Sequence, residues 1–154
     1  MLPLTLMEFP DPEDAAENVQ EFLEENNSFL TWIGSEMEEV SPERAVIRLP
    51  YHENIGNGVG VVHGGVTATL MDAAGTLSLR PHLENPYEDT TATININVNY
   101  LEVADSEEDV VATGEVVRAG GSVGVASMTA EQGDDLIAVG QGAYRLFGAG
   151  GSGR

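Results

Sequence analysis

A run of small and apolar residues from Gly64 to Leu79 constrains the fold more than any other part of the sequence. The run contains no proline, and its larger apolar residues recur at helical spacing, which predicts an α-helix of about four turns. Because almost its whole surface is small or apolar, such a helix must be buried. It is too short and too interrupted by glycine to span a bilayer. The sequence therefore predicts a central helix around which the rest of the chain is wrapped.

Asp72 is the one carboxylate in this run. Burying it unpaired would cost several kcal/mol, so it is either a structural group hydrogen-bonded to a neighbouring strand or a candidate base or nucleophile. Gly64 and Gly65 favour the second interpretation, because they let a ligand approach the helix N-terminus closely. Free N–H groups and the positive end of the helix dipole suit a carbonyl oxygen that gains negative charge.

Gly64 and Asp72 cannot act on one bond within a single chain. They are eight residues apart, and a helix rises about 1.5 Å per residue, which separates them by roughly 12 Å. Reacting groups must lie about 3 Å apart. If the two residues share a site, Asp72 comes from a second copy lying antiparallel, and the functional unit is a symmetric dimer with two composite sites.

Three features of this region occur at a fixed spacing: Asn57, His63-Gly64-Gly65 and Asp72. This pattern closely resembles the hotdog-fold acyl-CoA thioesterases of the phenylacetic-acid-pathway and THEM2-like branch, over residues 29–147. The resemblance implies an α+β hotdog fold, an antiparallel β-sheet wrapped around a long central α-helix, with an N-terminal flanking helix. It also implies hydrolysis of acyl-CoA or aryl-CoA thioesters, or of acyl carrier protein thioesters, by a homodimer that the family often pairs into a tetramer.

The resemblance also implies roles for single residues. The Gly64 N–H would polarise the thioester carbonyl and stabilise the oxyanion. Asp72 of the partner subunit would act as nucleophile or as general base on a water. Asn57 would hold the substrate or the attacking water. His63 would orient this loop, and a histidine that only satisfies loop carbonyls is the alternative.

The same branch places a serine or threonine hydroxyl near the water, and aligning the strand by Asn97 and Tyr100 carries this role onto Thr93. Residues alternate strictly between apolar and polar from Thr93 to Tyr100, which predicts a strand. In a regular strand Thr93 would share the face of Asn95 and Asn97. It therefore reaches the site only through a bulge, or Thr91 serves instead.

No separate cofactor and no metal are expected, because coenzyme A is part of the substrate. Family members often carry basic residues after the strand that ends here at Arg118, but Ala119-Gly120-Gly121-Ser122 follows. Arg118 and Arg80 are therefore the remaining candidates for binding the phosphates. Gly65 would let this ligand approach the helix closely.

The composition adds constraints on partners. The chain has 26 acidic and 6 basic residues, a formal net charge of -20, and all of its basic residues are arginine. Such a surface repels nucleic acid and anionic membranes, so neither is expected as a partner. We interpret the charge as adaptation to molar salt, where the Debye length falls to about 3 Å; an ordinary acidic protein is the alternative. The absence of cysteine excludes disulfides, thiolate zinc sites and cysteine nucleophiles.

The remaining sequence predicts one hotdog domain at residues 11–147, between an N-terminal arm at residues 1–10 and a flexible glycine-rich tail at residues 148–154. The arm resembles neither a signal peptide nor an anchor, which favours the cytoplasm. The predicted elements are a helix capped by Asp11 and reaching about Asn26, and strands at residues 29–39, 44–49, 109–118, 122–131 and 136–147.

Two other functions on the same fold are alternatives to hydrolysis. A non-catalytic acyl-CoA binding or sensing protein is the main alternative, and the presence of Asp72 argues against it. A dehydratase or hydratase needs a histidine paired with an acid, and His52, His63 and His82 show no such pattern.

Overall fold

A computed structural model describes residues 11–86, 88–105 and 108–148. The predicted arm at residues 1–10 and residues 149–154 of the predicted tail lie outside the described residues. The helices and strands are, in chain order, α1 (Pro12–Asn26), α2 (Ser28–Trp32), β1 (Glu36–Val40), β2 (Arg44–Leu49), α3 (Gly64–Leu79), β3 (Thr90–Tyr100), β4 (Val110–Gly120), β5 (Val123–Gln132) and β6 (Asp135–Phe147).

The strands form one antiparallel sheet in the order β1-β2-β4-β5-β6-β3. Helix α3 packs against the inner face of this sheet, with Leu70, Met71 and Leu77 buried in the main core. Gly114 of β4 allows the close approach, because a Cβ atom there would lie 2.3 Å from the Ala74 carbonyl oxygen. A curved antiparallel sheet around a long central helix is the hotdog arrangement that the sequence predicts. The predicted bounds of α3 are also confirmed.

Helix α1 begins and ends where the sequence predicts. The Asp11 side chain accepts a hydrogen bond from the Glu13 N–H, and proline occupies the first helical position. The apolar face of α1 is buried through Ala15, Val19 and Leu23. This helix therefore flanks the sheet, against β1.

The strand predicted at residues 29–39 is wrong over its first part, because Ser28–Trp32 forms the short helix α2 and β1 begins only at Glu36. The Asn27 side chain caps α2 by accepting from the Leu30 N–H at 3.1 Å. Gly34, with φ +82°, then turns the chain into β1. The closely spaced apolar residues predict a strand here, but they belong to a short helix that buries Leu30.

No helix among residues 11–86, 88–105 and 108–148 combines the length and the hydrophobicity needed to cross a membrane.

Candidate functional site

A cleft of about 580 Å³ opens between the two N-terminal helices, the second half of α3 and the start of β3. Apolar side chains from the N-terminal helices, including Phe22 and Leu30, form part of its wall. Asp72 and Thr76 of α3 and Thr91 of β3 line the remainder. The cleft therefore joins an apolar surface to a carboxylate, in a volume that suits a small organic group.

Asp72 is partly exposed on α3, while its neighbours Met71 and Ala73 are buried. Thr93 donates a hydrogen bond from Oγ1 to Asp72 Oδ1 at 3.0 Å, with Oδ2 at 3.3 Å. A carboxylate has several lone pairs, so this contact leaves others directed at the cleft. Both sequence interpretations of Asp72 therefore describe part of its environment: it is bonded to a neighbouring strand and it is open to a ligand.

The contact of Thr93 with Asp72 depends on an irregularity in β3. Thr93 pairs with Tyr144 of β6, and the register then shifts between Thr93 and Asn95. The extra residue allows Thr93 to face α3 independently of the asparagines that follow it. The bulge that the sequence analysis required is thus present. Thr91 lines the same cleft, but the hydroxyl bonded to Asp72 belongs to Thr93.

The N-terminus of α3 is capped by His63, whose Nδ1 accepts a hydrogen bond from the Gly65 N–H at 2.9 Å. Because Nδ1 accepts, a neutral imidazole carries its proton on Nε2. The His63 side chain therefore satisfies a helix N–H rather than a loop carbonyl. No acceptor within the described residues pairs with the Gly64 N–H.

Tyr100 also contacts this helix end, where its hydroxyl donates to the Gly64 carbonyl oxygen at 2.5 Å. This contact was not predicted, because in the sequence Tyr100 serves only to align the strand. The alternation of β3 places Tyr100 with Ile96 and Val98, but the sequence does not indicate which part of the central helix it contacts.

Asn57 lies in the loop that precedes α3, and its side chain accepts a hydrogen bond from the Val59 N–H at 3.2 Å. The loop is tied to the helix start, because the His63 N–H donates to the Ile55 carbonyl. Asn57 is exposed. The structure thus ties the loop that carries Asn57 to His63, and it brings Asp72 and Thr93 into direct contact.

The two arginine candidates for phosphate binding lie in different places. Arg80 is buried, with its guanidinium 4.6 Å above the Phe22 ring and its Nη2 donating to the Asp89 carbonyl at 3.4 Å. It lines the same cleft as Asp72. Arg118 is exposed beside a shallow depression of about 330 Å³ that also includes Gly120 and Ser122. Binding of coenzyme A phosphates by either residue stays a prediction.

One chain therefore places two groups of candidate site residues at different points along a single helix. The first contains the Gly64 N–H, which has no acceptor among the described residues, with its loop, and the second contains the Asp72 carboxylate on the cleft wall. At about 1.5 Å per residue they are roughly 12 Å apart along the helix. The first can stabilise developing negative charge, and the second can accept a proton or attack a carbonyl carbon.

Comparison with known proteins gives the following matches. The sequence model of the thioesterase superfamily matches residues 59–139. A candidate esterase of Halobacterium salinarum is 40% identical over 147 residues, which cover 89% of this chain and 95% of that protein. Acyl-coenzyme A thioesterase 13 of Homo sapiens is 29% identical over 88 residues, which cover 57% of this chain and 61% of that protein.

The structure is also similar to solved structures. A thioesterase of Haemophilus influenzae superposes with a TM-score of 0.80 at 21% identity, covering 90% of this chain and 94% of that chain. At this identity the likeness shows the fold.

Proposed function

The chain belongs to the thioesterase superfamily, and we propose that it hydrolyses acyl-CoA or aryl-CoA thioesters to the free acid and coenzyme A. The observation that carries this proposal is the Asp72 carboxylate, held by Thr93 on the wall of a partly apolar cleft. A carboxylate is unfavourable in the middle of a buried apolar helix unless it is paired or used. We further propose that the chain belongs to the phenylacetic-acid-pathway and THEM2-like branch, whose motif it carries.

Asp72 can act by two routes. As a general base, it takes a proton from a water whose oxygen attacks the thioester carbonyl carbon; the C–S bond breaks and the coenzyme A thiolate takes up a proton. As a nucleophile, the carboxylate itself attacks the carbonyl carbon, the thiolate leaves, and water then hydrolyses the mixed anhydride. Asn57 would position the substrate or the water in either route. Label found in Asp72 after single-turnover hydrolysis in ¹⁸O-labelled water would establish the anhydride route, because the general-base route places label only in the product acid.

The Gly64 N–H is the proposed oxyanion donor. It is the N–H at the helix start that lacks an acceptor among the described residues, whereas the Gly65 N–H is bonded to His63. The positive end of the helix dipole adds to the stabilisation of a carbonyl oxygen that gains charge. His63 and Tyr100 hold this helix end by bonding Gly65 and the Gly64 carbonyl.

The proposed functional unit is a homodimer in which each site takes its oxyanion donor from one chain and its carboxylate from the other. Strand β3 is one of the two edge strands of the sheet and pairs with β6 on one side. Its Ile94 is 56% exposed and Tyr100 is 52% exposed. A long edge strand with exposed apolar side chains is a template for pairing with another chain. Two-fold antiparallel pairing of β3 would bring two α3 helices alongside each other.

Substitution of Asp72→Asn tests the proposal, because it keeps the shape of the side chain and an acceptor for Thr93. We expect turnover of a panel of acyl-CoA and aryl-CoA substrates in high salt to fall by about 10²–10⁴-fold, with the circular dichroism spectrum and the melting temperature retained. Asp135→Asn, an exposed carboxylate at the start of β6, is the matched control and should keep full activity.

Full activity in Asp72→Asn would contradict the proposed role of this residue. Tight binding of acyl-CoA by the wild type without hydrolysis of any substrate in the panel would instead support the alternative, a non-catalytic acyl-CoA binding or sensing protein.

A further inference from the structure

Tyr144 is a fully buried tyrosine whose hydroxyl reaches the turn of α3 that carries Asp72. The hydroxyl donates to the Asp72 main-chain carbonyl oxygen at 3.4 Å, and the Met128 sulfur lies 3.3 Å away. A tyrosine has one hydroxyl proton, and a carbonyl oxygen is a stronger acceptor than a thioether sulfur. The ring packs with Leu79 and Ala126 in a small cluster of its own, beside the main core.

Two glycines leave space for this hydroxyl. A Cβ atom at Gly75 of α3 or at Gly142 of β6 would lie 2.3 Å from the Tyr144 oxygen. A buried hydroxyl is unfavourable unless it is hydrogen-bonded, and phenylalanine would fill the apolar part of the same space. The helix and the strand are thus both shaped around the hydroxyl, which indicates that the oxygen has a role beyond packing.

The pairing of β3 with β6 explains how two hydroxyls reach one residue. Thr93 and Tyr144 lie directly opposite each other in the two antiparallel strands. Opposite residues in an antiparallel pair have side chains on the same face. Both side chains therefore point at α3, where Thr93 contacts the Asp72 carboxylate and Tyr144 contacts the Asp72 carbonyl.

We propose that Tyr144 is a positioning residue for Asp72, whose hydroxyl fixes the main chain of this helical turn while Thr93 fixes the carboxylate. Its effect on hydrolysis rests on the proposed function, because Asp72 must be the acting carboxylate. The hydroxyl itself touches neither substrate nor water, since it lies fully buried beneath α3.

The electrostatics of the site keep this hydroxyl in its donor form. Burial raises the pKa of Tyr144 above its ordinary value, and the negative charge of Asp72 raises it further. The hydroxyl therefore stays protonated at any pH at which the enzyme would work.

Tyr144→Phe removes the hydroxyl and keeps the ring. We expect kcat to fall by about threefold to tenfold, which is the loss that removal of one hydrogen bond would cause. The KM should stay within a factor of about two of the wild-type value, because the cleft is untouched. Met128→Leu is the matched control: it removes the sulfur beside the hydroxyl but leaves the bond to Asp72, so its kcat should match the wild type. Unchanged kcat in Tyr144→Phe, or an equal fall in Met128→Leu, would overturn the inference.

A double-mutant cycle separates positioning from general packing. If both hydroxyls act through Asp72, the loss in kcat for Tyr144→Phe combined with Thr93→Val should be clearly smaller than the product of the two single losses. A purely structural role of Tyr144 would give independent effects that multiply, together with a lowered melting temperature, and that result would refute positioning.

A spectroscopic test does not depend on hydrolysis. The ¹³C chemical shift of the Asp72 main-chain carbonyl should move in Tyr144→Phe, because the carbonyl loses a hydrogen bond, and should stay in place in Met128→Leu. An unmoved carbonyl shift contradicts the contact itself. A carbonyl shift that moves in Tyr144→Phe, together with a wild-type protein that hydrolyses no thioester, would support the contact and count against the proposed function alone.

Discussion

Thr93 and Asp72 are joined across the boundary between sheet and helix by a hydroxyl that lies within 3.3 Å of both carboxylate oxygens. The contact holds the carboxylate on the cleft wall while one side of it remains open to a ligand. It exists only because β3 changes register immediately after Thr93. The activity of the proposed site should therefore depend on a residue that is distant from Asp72 in sequence.

Thr93→Val tests this dependence, because valine keeps the branched shape and removes the hydroxyl. Hydrogen bonds to charged groups contribute about 1.5–3 kcal/mol, so we expect kcat to fall by about tenfold or more when the carboxylate is no longer oriented. Steady-state kinetics on the best acyl-CoA substrate would measure this loss.

Thr93→Ser is the control for Thr93→Val, since it restores the hydroxyl without the methyl group and should recover most of the activity. An active Thr93→Val variant, or equal losses in valine and serine, would show that the hydroxyl does not orient Asp72.

Gly64→Pro removes the proposed oxyanion donor with little change to the helix. Gly64 is the first residue of α3, where proline is tolerated. The preceding His63 has φ -61° and ψ 130°, an extended conformation that is compatible with a following proline. We expect kcat to fall by about 10²–10³-fold, the usual loss for one oxyanion donor. Gly64→Ala keeps the N–H, and its Cβ would make only ordinary contacts with Tyr100, so it should lose much less activity than Gly64→Pro.

Mixing two inactive variants tests whether the site is shared between chains. In a dimer formed from Gly64→Pro and Asp72→Asn subunits, one of the two composite sites keeps both functional groups. An equal mixture should then regain about one quarter of wild-type activity after subunit exchange, because about half of the dimers are mixed and each has one intact site. If both groups acted within one chain, the mixture would stay inactive.

The local parts of the fold were predictable from the sequence, and the parts that depend on strand pairing were not. Helix α3 was predictable from Gly64 to Leu79 because its apolar periodicity and its lack of proline are visible within the segment itself. Helix α2 was misread as a strand because five residues are too few to show a helical period. Thr93 was predictable only on condition of a bulge, and Tyr144 was not predictable, because their convergence on Asp72 arises from the pairing of β3 with β6.

Gly114→Ala tests the close contact between α3 and the sheet. A Cβ atom at this position would lie 2.3 Å from the Ala74 carbonyl oxygen and 2.7 Å from the Gly75 nitrogen, both main-chain atoms that cannot rotate away. Displacing the helix should lower the free energy of unfolding by about 1–3 kcal/mol, measured by denaturant titration. Gly120→Ala on the same strand meets no atom within 4 Å and should leave stability almost unchanged. Equal stabilities of the two variants would mean that the helix and sheet are farther apart.

The salt dependence of substrate binding follows from the net charge of -20. Coenzyme A is a polyanion, so at low salt the protein as a whole repels it even if Arg118 attracts its phosphates. The Debye length shortens from about 10 Å at 0.1 M salt to about 3 Å at 1 M, which screens the long-range repulsion more than a direct contact. We therefore expect the KM for acyl-CoA to fall as KCl rises over this range.

An acyl thioester of N-acetylcysteamine is the matched control substrate, because it carries the thioester without the phosphates. Its KM should not show the same fall, so a parallel fall for both substrates would indicate that salt acts on the folding or the cleft instead. Arg118→Gln should raise the KM for acyl-CoA and leave that for the N-acetylcysteamine thioester unchanged. A KM for acyl-CoA that climbs steadily with salt would contradict the screening argument, because it would mean that direct attraction to a few arginines outweighs the repulsion by the whole acidic surface.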